Sequence, residues 1–431
     1  MNVLQINTLD KKGGAAKVAY SLRRELEKRG HETSMFVGRK YSDKKNVKIL
    51  NDIRSFSGKV RRKLAYWLAN DIDVFSSDHI LKTPEFKSAD IVHCHNLHGN
   101  YFNLGTLEKM SAIKPVVWTL HDMWPITAHC AHAFDGKINE KGFFACPTLG
   151  ILPAIAWHNE KYLEKRKVGI YKNSNFHIVT PSKWLANKVA QSILGNKPLS
   201  VIHNGIDTNI FKPRSDLGRL RSDLGLPTDK RIILIVAKGG ASNPWKGGNY
   251  AQNLIKAFTG DSRTFFVDLG GNIPAMMATR KAEQSSYDGP HLKVVSYVTD
   301  QDILAKYYSA ADMLLYPSIA DNCPLVVLEA QACGLPVVAF ETGGIPELVD
   351  HQKTGYVARY KDIDDLIIGT RWMLSRSSTE YTTMREAVIT KIISGFTLEK
   401  MTDQYLSLYK KEIENFNLSG SRTPLSDSGH H

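Results

Sequence analysis

Short, mostly apolar runs separated by amphipathic stretches recur along the whole chain. In the first half they are Val3–Asn7, Thr33–Val37, Asp90–His95, Val116–His121, Phe176–Pro181 and Ser200–His203. In the second half they are Ile232–Ala237, Thr264–Leu269, Lys293–Val298, Asp312–Tyr316, Val337–Phe340 and Gly355–Ala358. Apolar runs this short fit strands covered on both faces, and the helical patterns between them are the crossovers that parallel strands require. The alternation predicts an α/β fold with two Rossmann-like parallel-sheet domains. Between the two series, His203-Asn204-Gly205-Ile206-Asp207 is a turn signal, with Lys212-Pro213 just beyond. The expected division is an N-terminal domain over 1–205 and a C-terminal domain over 206–395. A long helical pattern over 396–416 and a polar tail over 417–431, expected to be disordered, follow.

Composition narrows the class. With 431 residues, 42% of them hydrophobic, the chain can build two or three separate cores. No run approaches the ~20 apolar residues that span a bilayer, and the start MNVLQINTLDKKGG lacks a signal-peptide layout. Five cysteines, scattered and odd in number, point to no disulfide framework. The expected location is the cytoplasm.

Charge divides unevenly. Residues 1–205 hold 31 Lys and Arg against 17 Asp and Glu, whereas residues 206–431 hold 25 against 26. The excess of +13 therefore belongs to the first half, which points to an anionic partner there: membrane lipid, a lipid diphosphate or nucleic acid. Nucleic acid is set aside, because no binding motif or aromatic-basic interleaving is present. Within this half, Ile53–Leu68 carries Phe56, Val60, Leu64, Trp67 and Leu68 on one stripe among Arg54, Lys59, Arg61, Arg62 and Lys63. A basic amphipathic helix of this kind either lies on an anionic membrane or packs its stripe on the sheet.

The densest chemistry runs from Tyr316 to Val349. Pro324 fits the first turn of a helix carrying Leu325, Leu328 and Glu329. Thr342-Gly343-Gly344 then offers backbone N–H groups at a helix start, where phosphate oxygens bind. Asp321 and Glu329 are placed for one ligand, from a loop and from a helix face.

This stretch resembles the donor-sugar signature of the retaining, two-domain nucleotide-sugar glycosyltransferases of the family numbered four, the GT-B architecture. The residues carrying the resemblance are Asp321, Glu329, Ala330, Ala332, Gly334, Pro336-Val337-Val338, Gly343-Gly344 and Glu347. The first acid of the signature is usually Glu, so Asp321 departs from it. The resemblance implies two domains facing each other across a cleft, with the donor mainly on the second. It also implies that the last helix completes the first domain.

Carried over residue by residue, the resemblance gives Glu329 to the ribose hydroxyls and Asp321 to the sugar. Amides of Asn322, Cys323, Leu325, Gly343 and Gly344 would take phosphate or sugar oxygens. Lys238 and Lys246 would hold the departing diphosphate in a site that needs fixed cations. In the first half, Gly13-Gly14 matches the family's N-terminal glycine loop, and His121 its donor-sugar histidine. His95 and His98 fall on the acceptor side. No metal site is read: Asp71/Asp73, Asp300/Asp302 and Asp362/Asp364 are taken as structural, and Cys130, His132 and Cys146 provide too few ligands for a structural zinc.

The expected function is transfer of a sugar from a nucleoside-diphosphate sugar to a glycan or lipid-linked acceptor in polysaccharide synthesis. No cofactor is expected, and the inner membrane face is the expected place of peripheral attachment. The alternatives are a sugar-nucleotide 2-epimerase of the same fold and an inactive carbohydrate-binding homologue.

Overall fold

The computed structural model describes residues 1–237, 244–270 and 291–420. Two compact units divide them: Met1–Ile202 with the chain from Glu399 onward, and His203–Leu398. Among the described residues, each unit is built on one wholly parallel sheet.

The first sheet has the order β3-β2-β1-β4-β5-β6-β7. Its strands are β1 (Asn2–Leu9), β2 (Glu32–Arg39), β3 (Val47–Ile49), β4 (Ile91–Cys94), β5 (Val116–Thr119), β6 (His177–Thr180) and β7 (Leu199–Val201). The second has the order β10-β9-β8-β11-β12-β13. Here the strands are β8 (Arg231–Val236), β9 (Thr264–Leu269), β10 (His291–Val295), β11 (Met313–Tyr316), β12 (Val337–Phe340) and β13 (Gly355–Ala358). All twelve apolar runs become strands. The short β3 was not anticipated, and β10 starts two residues earlier than its pattern.

The central strands explain themselves physically. Val3, Leu4 and Ile6 of β1 and Val337, Val338, Ala339 and Phe340 of β12 are fully buried, as helices on both faces require. Helix α1 (Gly14–Lys28) lays Ala16, Val18, Ala19, Leu22 and Leu26 on the first sheet. In each sheet the first strand lies between neighbours reached by opposite turns of the chain, β1 between β2 and β4, β8 between β9 and β11. Loops leaving the carboxyl ends at such a reversal form the crevice where open α/β sheets bind ligands.

Helix α2 (Phe56–Trp67) differs. It buries only Gly58 and Ala65, while Phe56 is 85% exposed and Trp67 60%. Its apolar stripe does not pack on the sheet. Each large side chain left fully in water forgoes roughly 1.5–3 kcal/mol of burial, while the helix is held to its unit through Ala65 and through Trp157 Nε1 donating to Trp67 O at 2.9 Å.

The C-terminal helix Leu398–Gly420 belongs to the first unit, where Tyr405 and Tyr409 are buried and Arg29 Nη1 meets Asp403 Oδ1 at 2.5 Å. It continues past Phe416, so residues 417–420 are helical rather than a disordered tail; residues 421–431 lie outside the described ones. The cysteine reading also needs correction. Cys130 and Cys146 form a disulfide with Cα atoms 5.9 Å apart, while Cys94, Cys323 and Cys333 are free and buried. Spacing could not show this, because the pair is brought together by loop folding, with Phe144 N donating to Ile126 O at 2.9 Å. Lys167, one of the cations of the basic first half, is fully buried. Among the described residues no helix is long and apolar enough to cross a membrane.

Candidate active site

In the second unit, two loops at the carboxyl ends of β8 and β11 meet. The turn Pro244–Lys246 ends at Gly247, whose φ is +69°. A Cβ there would stand 1.8 Å from Pro317 O, so only glycine allows the approach. Ile319 N and Ser318 Oγ donate to Trp245 O at 3.0 and 2.9 Å, locking the loops together.

The result is an ion pair. Lys246 Nζ lies 2.5 Å from Asp321 Oδ2, and the same oxygen accepts from Tyr316 Oη at 2.5 Å and Ser318 Oγ at 2.7 Å. Burial opposes ionisation of Asp321, but Lys246 and the two hydroxyls outweigh it and hold the carboxyl below its usual range. Two residues named from the sequence are thus joined, 75 positions apart. Tyr316 and Ser318 were not named: a tyrosine ending a strand and a serine after a proline carry no functional signal by pattern. Lys238 lies outside the described residues.

The other residues that the resemblance assigns to the donor lie in the following loops and helix. Asn322 O accepts from Gly344 N at 2.8 Å, which joins the loop after β11 to the glycine loop after β12. Gly343 has φ +53°, and the helix it precedes, Ile345–Leu348, is a single turn. Asn204 Nδ2 donates to Cys323 O at 3.0 Å, and His203 Nε2 meets Glu347 Oε2 at 3.0 Å, so the turn that opens this unit braces the signature. The Cys323 thiol is pushed up to about 12 by burial and is no nucleophile. Leu325 begins the helix Leu325–Ala332 and packs against the core.

Glu329, on that helix, is only 1% exposed and accepts from Tyr308 Oη at 3.0 Å. The sequence set it and Asp321 toward one ligand, and its bond here is to a core tyrosine.

In the first unit, the loops leaving β1, β4 and β5 adjoin. Gly13, with φ +99°, caps the exposed start of α1 beside Gly14. Thr8 Oγ1 donates to His98 O at 2.7 Å, tying the β4 loop to β1. His95 Nδ1 and His121 Nε2 are 3.0 Å apart, and His98 Nε2 meets Asp122 Oδ2 at 2.8 Å. His95 is fully buried, so it supports His121 rather than facing solvent. Burial brings His121 down to about 4, Asp122 resisting and His98 adding to the fall, and leaves it a neutral imidazole near pH 7. Burial works against a charged His98 too, yet Asp122 prevails and raises it.

Behind them runs a buried polar chain that sequence reasoning missed. Tyr409 Oη and His93 Nδ1 are 2.6 Å apart, His93 Nε2 and Thr119 Oγ1 2.7 Å, and Thr119 Oγ1 and Tyr405 Oη 2.8 Å. Nearby, Trp124 Nε1 donates to Asp71 Oδ2 at 2.8 Å, and Lys167 Nζ donates to Trp124 O and Thr127 O. Burial lowers Lys167 to about 7, with Asp71, Asp122 and Glu164 opposing. Asp73 takes two bonds from Arg166, and Asp300 and Asp362 cap helices, so the loose acidic pairs have structural partners. Among the described residues no group of three or more His, Cys, Asp or Glu is arranged to hold a metal.

Two parallel α/β units, the second carrying a Lys–Asp pair beside a glycine loop, define a two-domain glycosyltransferase of the GT-B class. Family models agree and make the assignment specific. Residues 12–210 match Glycosyltransferase Family 4 and residues 235–376 match Glycosyl transferases group 1, and the chain belongs to this family. It is 25% identical over 371 residues to the putative colanic acid biosynthesis glycosyl transferase WcaC of Escherichia coli, covering 82% of this chain and 86% of that one. It is 26% identical to the D-inositol 3-phosphate glycosyltransferase of Mycobacterium marinum, over 53% of this chain and 48% of that one. Solved structures share the fold: sucrose-phosphate synthase from Thermosynechococcus elongatus (TM-score 0.68, 16% identity, 95% and 98% of the two chains) and Anabaena Alr3699/HepE in complex with UDP (TM-score 0.66, 16% identity, 95% and 100%).

Proposed function

We propose that this glycosyltransferase is a retaining enzyme that moves a sugar from a nucleoside-diphosphate sugar to a glycan or lipid-linked acceptor in cell-surface polysaccharide synthesis. The observation that carries the reading is the Lys246–Asp321 pair, held by Tyr316 and Ser318 next to the Asn322–Gly344 contact. In this reading the bond from the anomeric carbon to the diphosphate breaks and the acceptor oxygen bonds on the same face. The acceptor proton passes to a leaving phosphate oxygen. Lys246 and Lys238 supply positive charge to the diphosphate as it departs, Asp321 holds sugar hydroxyls and Glu329 the ribose. Amides of Asn322, Cys323, Leu325, Gly343, Gly344, Gly13 and Gly14 take the donor's oxygens. His121 is a neutral hydrogen-bonding partner for the sugar, with His95 and His98 behind it on the acceptor side. Support for a polysaccharide role comes from the likeness to WcaC.

Attachment of the first unit to an anionic membrane face is part of the same proposal. It is supported by the open stripe of Phe56, Val60, Leu64 and Trp67, flanked by Arg61, Arg62 and Lys63.

The test is a screen of UDP-, GDP- and ADP-sugars for slow hydrolysis and for thermal protection. UDP-glucose comes first, because an Anabaena structural neighbour is solved with it. NMR of the product of the active donor should show the anomeric configuration unchanged. Isomer formation from the donor without any acceptor would replace the transferase by the 2-epimerase reading. Inversion at the anomeric carbon would overturn the retaining assignment.

A further inference from the structure

The first unit gathers cations that the mechanism above does not use. At the carboxyl ends of the neighbouring strands β1 and β2, Lys12 Nζ lies 4.3 Å and Arg39 Cζ 4.4 Å from the centroid of the Tyr41 ring. Arg54 Cζ is 6.0 Å from the same centroid. Among the described residues no carboxylate is bonded to any of the three side chains, the Arg54 backbone N donating to Asp52 Oδ1 at 2.9 Å, and Arg39 Nε is buried with no hydrogen-bond partner.

The buried acid of these loops is bonded to backbone. Asp10, fully buried, accepts from Tyr41 N through Oδ1 and from Ser42 N through Oδ2, both at 2.8 Å. It joins the two loops, and among the described residues no hydrogen bond links it to the three cationic side chains. Beside Lys12, α1 begins at Gly13 with no side-chain cap and no acidic residue in its first turn. Its first amides therefore lack intrahelical acceptors, and the positive end of the helix dipole adds to the field.

Three cations around one ring repel one another, and cation–π attraction to the ring alone does not neutralise them. A compact, multiply charged anion does, and the planar fork of Arg matches phosphate oxygens two at a time. We propose that Lys12, Arg39 and Arg54 around Tyr41 bind a phosphate or diphosphate group of the acceptor substrate. The proposal rests on the transferase reading for the word acceptor, but the anion site stands on the geometry alone. Arg54 precedes the exposed Phe56 by two residues, so a lipid on that phosphate has an apolar surface to follow along α2. A water-soluble sugar phosphate offers the same headgroup without the tail.

Calorimetric titration of the full chain with inorganic pyrophosphate, farnesyl diphosphate and farnesol separates these cases. Pyrophosphate and farnesyl diphosphate are expected to bind, and R39Q or R54Q to weaken both at least tenfold. The exposed Arg54 makes R54Q safe for folding. Lys246→Ala, which removes one of the cations proposed for the donor in the other unit, should leave this binding in place. Farnesyl diphosphate binding at least tenfold tighter than pyrophosphate identifies a lipid-linked acceptor, and equal affinity a soluble one. Either supports the site. Unchanged affinity in both arginine variants, farnesol binding as well as farnesyl diphosphate, or loss in Lys246→Ala alone would overturn it. No sugar donor is used, so a failure here leaves the transferase reading intact, and the donor screen tests that reading separately.

Discussion

Lys246 Nζ and Asp321 Oδ2 stand 2.5 Å apart, and the loops bearing them approach closely because Gly247 has no Cβ. The oxygen that receives the lysine also receives Tyr316 and Ser318, so the carboxylate is fixed before any ligand arrives. Preorganisation of this kind is what electrostatic catalysis needs, since no reorientation is left for the reacting complex.

Asp321→Ala should lower transfer by ~10²-fold or more, as when a contact strengthened in the transition state is lost. Tyr316→Phe and Ser318→Ala each remove one donor to the same oxygen and should give smaller losses, mainly in kcat. Steady-state kinetics on the donor found by screening provide the check. An Asp321→Ala enzyme with normal turnover would remove this residue from the site.

Glu329 is buried and accepts from Tyr308, so the ribose contact proposed for it can be tested apart from this structural bond. Glu329→Gln keeps an acceptor for the Tyr308 hydroxyl, so the fold should persist while donor affinity drops. Glu329→Ala leaves that hydroxyl buried and unpaired, at a cost of ~1–3 kcal/mol. Urea unfolding together with donor titration distinguishes the two, and unaltered donor affinity in Glu329→Gln would sink the ribose assignment.

Acid should destabilise the first unit early. Burial holds His93 at about 3 and His121 at about 4, with His95 well below its ordinary value. Unfolded, each titrates near ~6.5. Below that pH the unfolded chain takes up protons that the folded one excludes, so stability falls as pH drops, by ~1.4 kcal/mol per pH unit for each proton. His98, raised in the folded state, has the opposite sign: its contribution is present at low pH and lost as pH rises through its folded value. Three histidines outweigh one. Urea midpoints should therefore decline steeply between pH ~6.5 and ~4, and a flat profile across that window would contradict the buried neutral cluster.

If α2 rests on an anionic bilayer, binding should depend on charge. Each Lys or Arg near such a surface contributes about 1 kcal/mol, screened as the ~10 Å Debye length at 0.1 M shortens to ~3 Å at 1 M. Changing Arg61, Arg62 and Lys63 together to Glu should abolish co-sedimentation with anionic vesicles, and high salt should weaken that of the wild type. Equal binding to neutral vesicles would exclude the electrostatic account.

The third positive charge usually available to a diphosphate, a divalent cation, is not expected to be needed where lysines serve. Activity should survive EDTA. Its abolition, with rescue by Mn²⁺ or Mg²⁺, would replace the lysine-based account.

By itself, the order of apolar runs determined two parallel-sheet units and the place where one series gives way to the next. A strand buried on both faces is mostly apolar, and short runs of this kind alternating with helical patterns make the parallel sheets readable. The Asp321–Glu347 signature was legible for a related reason: loop glycines, prolines and acids are held there by local backbone geometry. Only the tertiary structure decided which side chains share an atom. Tyr316 and Ser318 meet Lys246 at one oxygen across 70 and 72 positions of sequence, and Tyr409 reaches His93 across 316. Such contacts depend on loop closure and helix docking, which leave no periodic trace. The same holds for the Cys130–Cys146 bond, the burial of Lys167 and the open face of α2. An amphipathic pattern tells that a stripe exists, while whether anything covers it depends on what the rest of the chain has already filled.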